Sequence, residues 1–433
     1  MNGGAQTSRR GLLGLGAAGA LAGCTGTGAR REESKYMSQA RAKDELDEVF
    51  SDLSDQSSKH TPISDEERAA RRRRLGGLLA SAGIDALLVE PGATLSYLSG
   101  VSWGTSERLF GLVVLADGSH FWVSPAFEEE RARARTTAAP GDVVTWHEHE
   151  YAYPPLAAAL SARGVERVAV EPRARLFIAE GLADAHGRER VVSGRAVLRE
   201  LRGRKDAHEV ALLRAANELT QLAIRTAAER LRAGMTDADI GTWMRHAQER
   251  LGLTGTWVLP LINQDAALPH GSATQRVLER GDLILVDTGG SLHGYQSDNT
   301  RTWVFGGVPG AEVERVWHVV RDAQKRAFEA LRPGQPCASV DRAARAVVTA
   351  AGFGEGYATF SHRLGHGIGM QGHEEPYLDG GNELILAPGM TFSDEPGIYL
   401  PGRFGVRIED IVVVTEDGGD HFGTWQRSPA SPD

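Results

Sequence analysis

The residues that could do chemistry are acids and histidines set at the ends of apolar runs or in glycine-rich loops. Leu283-Ile284-Leu285-Val286-Asp287 reads as an apolar strand ending in a carboxylate. A Gly-rich turn follows, then a returning strand that starts near Asp298, eleven residues on. In a hairpin the two acids come to one end of the sheet. Side by side they repel and raise each other's pKa, so the pair suits neutral pH when cations sit between them. Alone it says little, because an Asp at a strand end is more often a turn cap. Three further groups shift that balance. His362-Arg363-Leu364-Gly365-His366-Gly367 holds two imidazoles in a Gly-rich loop, Glu395 stands where a strand meets Pro396-Gly397, and Glu409 lies on an otherwise apolar run from Ile408 to Val414. A loop His is usually a hydrogen-bonding residue and a strand Glu commonly faces water, but a buried Glu is costly unless something positive neutralises it. Four carboxylates and one imidazole in this order suit a pair of manganese, cobalt or iron ions better than a structural zinc.

These five residues resemble the ligand set of the pita-bread metallopeptidases, which include methionine aminopeptidase, aminopeptidase P and prolidase. The order Asp, Asp, His, Glu, Glu is matched by Asp287, Asp298, His366, Glu395 and Glu409, with the characteristic gap of eleven between the aspartates. The resemblance covers about Leu201 to Asp420 and, more faintly, Ser64 to Arg195, as the N-terminal domain of the creatinase and prolidase branch. It implies that Asp287 holds one ion, His366 and Glu395 the other, and that Asp298 and Glu409 bridge them. Manganese leads among the metals it implies, with cobalt, iron or zinc as alternatives. The Xaa-Pro branch adds His270 in Pro269-His270-Gly271, His362, His373 in Gly372-His373-Glu374-Glu375-Pro376, and Arg407. Creatinase shares the fold but lacks the ligands, so a metal-free mechanism is rejected.

By the same resemblance the activity is hydrolysis of the amide bond before proline, as an Xaa-Pro aminopeptidase or dipeptidase, by a hydroxide that two ions activate. Glu395 relays a proton to the leaving nitrogen, His373 stabilises the oxyanion, and His270 and His362 position the peptide. Arg407 either holds a carboxylate or orients Glu409. Proline needs a dedicated site because its nitrogen carries no hydrogen. Two other readings compete: the same scaffold acting on a small non-peptide substrate as a hydrolase or lyase, and a retired peptide-binding module. A homodimer is expected because relatives of this branch often pair.

The elements that must position these residues follow from pattern. A chain of 433 residues exceeds one hydrophobic core, so two domains plus appendages are expected, and a formal net charge of −9 disfavours a nucleic-acid partner. The fold class is α/β (α+β): a pita-bread catalytic domain over residues 199–425, a smaller α/β domain over 64–198, and a tail over 426–433. Ser64-Asp65-Glu66-Glu67 is a capping box, and the following Arg71 to Arg74 reads as a solvated helix face. Strands are predicted at Ala86 to Glu90, Gly111 to Leu115, His120 to Ser124, Val143 to Trp146 and Val168 to Glu171. In the second domain helices are predicted after Asp206 and over Asp237 to Leu251, Ala311 to Leu331 and Ser339 to Ala351. Its strands are predicted at Leu283 to Asp287, Thr300 to Phe305, Met390 to Asp394 and Ile408 to Val414.

Residues 1–24 read as an export signal. Arg9-Arg10 precede an uncharged stretch from Gly11 to Gly23 that is too short to span a bilayer, and Leu21-Ala22-Gly23-Cys24 resembles a lipobox. The expectation is a twin-arginine lipoprotein in the periplasm or at a membrane surface, held through lipid on Cys24. Residues 25–63 are polar and read as a tether without a core.

Overall fold

The computed structural model describes residues 44–433. The expected signal, Cys24 and most of the tether lie outside them. Residues 44–49 are helical, and Asp52–Asp433 form one compact unit with two lobes, each built on its own sheets.

The amino-terminal lobe is a six-stranded sheet of Ala86–Val89 (β1), Gly111–Leu115 (β2), His120–Pro125 (β3), Asp142–Trp146 (β4), Val168–Val170 (β5) and Val191–Ser193 (β6), in the order β4-β3-β2-β1-β5-β6. Alternate residues divide between two cores. Leu87, Val89, Leu112, Val114 and Trp122 enter one, whereas Ala86, Leu88, Val113, Phe121 and Val123 enter the other. That period-two division is what a sheet covered by helices on both faces requires. The three-residue β6 was not expected, since so short a run carries too little pattern to read.

At the amino-terminal edge one expectation holds and two do not. The predicted capping box is present, with Ser64 Oγ accepting from Glu67 N–H and Glu67 Oε2 accepting from Ser64 N–H, and it opens the helix Asp65–Ser81. The arginines that follow are only in part a solvated face: Arg73 and Arg74 are exposed, whereas Arg71 and Arg72 are buried. Arg71 donates to Tyr295 Oη at 2.8 Å and lies 3.5 Å from buried Glu209 of the other lobe, while Arg72 donates to Leu98 O at 2.5 Å. Partners distant in sequence supply the compensation that a local charge count could not reveal. The tether also acquires packing from Asp52 onward: Leu53 and Ile63 are buried, and Gln56 N–H donates to Leu251 O at 3.0 Å.

The second lobe repeats one order of elements twice. Helices Ala207–Ala228 and Asp237–Arg250 precede a sheet of Thr254–Ile262 (β7), Leu283–Leu292 (β8), Tyr295–Gln296 (β9) and Asn299–Val304 (β10), ordered β10-β8-β7 with β9 on β8. Helices Ala311–Ala330 and Cys337–Ala350 precede a second sheet of Gly365–Gly367 (β11), Glu374–Leu378 (β12), Thr391–Asp394 (β13), Asp410–Val414 (β16) and Gly419–His421 (β17), ordered β12-β11-β13-β16-β17. Gly397–Leu400 (β14) and Phe404–Arg407 (β15) form a hairpin between them. Capping boxes at Asp206/Glu209 and Thr236/Asp239 start the first two helices. Buried Val316, Val320, Val340, Phe392, Ile398 and Val412 join the second helix pair to its sheet. The tail folds back, with Gln426 Nε2 donating to Thr302 O at 2.8 Å.

Candidate metal centre

Asp287 is not at a strand end. β8 runs on through Gly289 and Gly290 to Leu292, and Asp287 sits mid-strand opposite Thr300 of β10 and Leu259 of β7. The extension is possible because Gly289 has no side chain: a Cβ there would lie 1.9 Å from Ser297 O. Buried Ile284, Leu285 and Val286 fix the strand, so Asp287 projects from a rigid base. Asp298 precedes β10, and its N–H donates to Oδ1 of buried Asn217 at 3.1 Å.

The second sheet supplies the remaining groups. His366 lies on β11 and Glu395 just past β13, with Glu395 N–H donating to Leu364 O at 3.0 Å. Ser393 ties the two together, its Oγ accepting from His366 N–H at 2.9 Å and donating to Glu395 Oε1 at 3.0 Å. Glu409 precedes β16, rather than lying within it, because it pairs across to Thr300 of the first sheet. Thr300 Oγ1 donates to Glu409 Oε2 at 2.7 Å, so a single residue joins the two sheets beneath the site.

All five predicted ligands come together. Donor atoms of Asp287, Asp298 and Glu409 lie within 4.8 Å of one another, as do those of His366, Glu395 and Glu409. His366 Nε2 is 3.5 Å from Asp298 Oδ2 and 3.4 Å from Glu395 Oε1. A third such group comprises Asp298, His366 and His373. His373, read from sequence as a substrate residue, therefore also stands at the cluster's edge, its ring stacked on that of His366 at 3.6 Å.

Electrostatics show what the cluster would accept. Burial, and then the neighbouring Asp287, raise the Asp298 carboxyl well above the usual range; burial, and then Asp298 and Glu395, do the same to Glu409. Glu395 is pushed up to about 7 by burial, although His366 and Arg407 oppose it. Asp287 Oδ1 is buried with no hydrogen-bond partner among the described residues. Mutually raised carboxyls and an orphaned oxygen fit divalent cations, which hard oxygen donors and one imidazole would hold.

Around the cluster, Arg407 is buried and makes four bonds: to Asp287 Oδ2 at 2.7 Å, Tyr399 Oη at 2.9 Å, Thr300 Oγ1 at 3.1 Å and Pro269 O at 3.1 Å. It thus holds the Asp287 carboxylate directly and reaches Glu409 only through Thr300. His362 is held neutral, its pKa lowered to about 3 by burial and then by Arg407. Its Nδ1 faces Arg363 O at 2.8 Å and its Nε2 faces Tyr399 Oη at 2.7 Å, so Tyr399 relays between Arg407 and His362. His270 lies exposed on the turn after Pro269 and is not drawn into the metal-holding groups. The Pro269 carbonyl bonded to Arg407 ties its turn to the site. Sequence reasoning missed Ser393, Thr300 and Tyr399. Ser393 and Tyr399 bracket the Glu395 motif, but a serine and a tyrosine carry no spacing signal of their own.

Residues 71–203 match the Creatinase/Prolidase N-terminal domain, and residues 211–416 match Metallopeptidase family M24. Over 358 residues the chain is 40% identical to the probable dipeptidase PepE of Mycobacterium tuberculosis, covering 82% of this chain and 94% of that one. It is 33% identical over 365 residues to the Xaa-Pro dipeptidase of Lactobacillus delbrueckii subsp. lactis, covering 81% and 95%. The crystal structure of dipeptidase PepE from Mycobacterium ulcerans superposes with a TM-score of 0.79 at 35% identity, covering 86% of this chain and 99% of that one. A mixed α/β body that converges buried carboxylates and an imidazole between two sheets defines an enzyme of the metallopeptidase class. This chain belongs to metallopeptidase family M24, with the pita-bread catalytic fold and a creatinase-like N-terminal domain.

Proposed function

We propose that the chain is an exopeptidase that hydrolyses the amide bond before proline with two divalent metal ions, manganese first among them. The observation that carries this reading is the convergence of Asp287, Asp298, His366, Glu395 and Glu409 beside His362, His373 and Arg407. Similarity to an Xaa-Pro dipeptidase supports the substrate class. Asp287, Asp298 and Glu409 would hold one ion and His366, Glu395 and Glu409 the other, with Asp298 between them. Bound ions supply the positive charge that activates water and steadies a tetrahedral oxyanion.

The chain's own groups perform the remaining tasks. Glu395, its Oε1 fixed by Ser393, takes a proton from the attacking water and delivers it to the leaving nitrogen. His373, its ring stacked on that of His366, is the hydrogen-bond donor to the oxyanion. His362 and His270 position the peptide at the rim, and Arg407 holds Asp287 in place for the metal.

A panel of Gly-Pro, Xaa-Pro-Xaa peptides and matched peptides without proline, assayed with added manganese, tests the reading. Turnover confined to bonds before proline supports it; two bound ions with no turnover of any proline peptide refutes it. On the sequence of residues 1–24 alone we also propose export and lipidation at Cys24. Mass spectrometry of the native amino terminus decides, since an unprocessed Met1 rules both out.

A further inference from the structure

We infer that the amino-terminal lobe positions His373 within the same chain, and that Arg173 is the residue through which it does so. The inference rests on the proposed role of His373 in peptide hydrolysis. Three successive residues are gripped by three guanidinium groups from outside the catalytic lobe's sheets. Arg173, on the loop after β5, donates through Nη2 to the carbonyl oxygen of His373 at 2.7 Å. Arg202 donates through Nη2 to Glu374 Oε2 at 2.5 Å, and Arg195 donates through Nε to Glu375 Oε1 at 2.7 Å. Arg195 and Arg202 share the helix Arg195–Gly203 that joins the lobes and, seven residues apart, lie on one face of it. Arg202 Nη1 also reaches Thr94 Oγ1 of the amino-terminal lobe at 3.0 Å.

Packing between the joining helix and the segment is incomplete. A cavity of about 230 Å³ lies beside their contact, lined by Pro172, Leu198, Arg202, Gln371, Glu374 and Tyr377 among others. Glu374 is buried and doubly held, since Lys205 Nζ also donates to its Oε1 at 2.8 Å. His373 itself is exposed, and its carbonyl is fixed by Arg173 across the gap. A charge-assisted bond to that carbonyl restricts the peptide plane that sets the ring's stacking on His366. Arg173 is thus a positioning residue.

Because its side chain is exposed, Arg173 can be replaced in the metal-loaded full chain without opening a core. For Arg173→Ala the expected result is a kcat lowered about fivefold with KM, metal content and Tm little changed, the scale that a small misplacement of a catalytic group produces. Arg173→Lys, which can still donate one bond, should recover most of the loss. In a His373→Ala background the same replacement should change kcat by less than about 1.5-fold, because the two residues act as one unit. Equal losses in both backgrounds, or no loss in either, would overturn the inference. If the wild-type chain turns over no proline peptide, the proposed function fails and the inference is judged separately, from the His373 ring resonance in a 1H–13C spectrum. A shift in Arg173→Ala but not in the control Arg131→Ala supports it, and an unmoved resonance overturns it.

Discussion

Arg407 Nη2 lies 2.7 Å from Asp287 Oδ2, so a buried cation on the β14–β15 hairpin is committed to a metal-ligand candidate on the first sheet. The same guanidinium also bonds Tyr399, Thr300 and Pro269. A lysine can satisfy one of these partners but cannot fork among four. Arg407→Lys should therefore lower kcat/KM by roughly 10- to 100-fold, the worth of one or two hydrogen bonds to a charged group. Steady-state kinetics with metal quantification checks it. Unchanged kcat/KM at full metal occupancy would show that the arginine is incidental.

Removing metal should destabilise the protein as well as silence it. Burial and then Asp287 raise the Asp298 carboxyl, and burial and then Asp298 raise that of Glu409, a repulsion that cations relieve. Ligand bound at a hundred times its Kd stabilises by about 2.7 kcal/mol, a shift of a few degrees in Tm for a protein of this size. A melting scan with chelator, then with manganese restored, should show that loss and its recovery. Identical curves would mean that the cluster holds nothing.

A pH-dependent clasp fastens the segment before the first helix to the catalytic lobe. His208 Nδ1 lies 2.6 Å from Glu67 Oε1 and its Nε2 lies 2.9 Å from Thr61 O. Burial alone would raise Glu67, but Ser64 N–H and His208 bring it down to about 2 from 4.5, so its contribution is complete above pH 4.5 and fades as pH falls toward 2. His208 is raised from 6.5, chiefly by Glu67, so its contribution is complete below pH 6.5 and is lost as pH rises through its folded pKa. Both partners are partly exposed, which holds the effect below about 1 kcal/mol. Glu67→Gln should lower Tm most between pH 4.5 and 6.5. A pH-independent difference would argue that the cap bond, not the ion pair, is responsible.

The join between lobes should be sensitive to Arg71. Arg71→Met leaves Glu209 buried without its cation, and breaking such a pair costs about 3–5 kcal/mol. Urea unfolding should show an unfolding free energy lower by that amount, whereas the exposed Arg73→Met should be near neutral. Equal, small effects would return the arginine run to a solvated face.

The five metal-holding side chains were legible because acids and a histidine in a fixed order are rare and chemically costly, so each marks itself. Helix starts were legible for a similar reason, as Ser64/Glu67 pairs local hydroxyl and carboxylate with local amides. What escaped depends on contacts distant in sequence. The burial of Arg71 needs Tyr295 and Glu209, the pairing of Glu409 needs Thr300, and the relay at His362 needs Tyr399. The length of β8 was misread because two glycines signal a turn, although here they admit the close approach of Ser297.

The most direct test is a stepwise return of manganese to metal-stripped protein, with bound metal and Gly-Pro hydrolysis measured on the same samples. Activity should be absent without metal, rise with occupancy and level off at two ions per chain, and Glu395→Ala should abolish it. Full hydrolysis by stripped protein, or none at two ions per chain, would contradict the account.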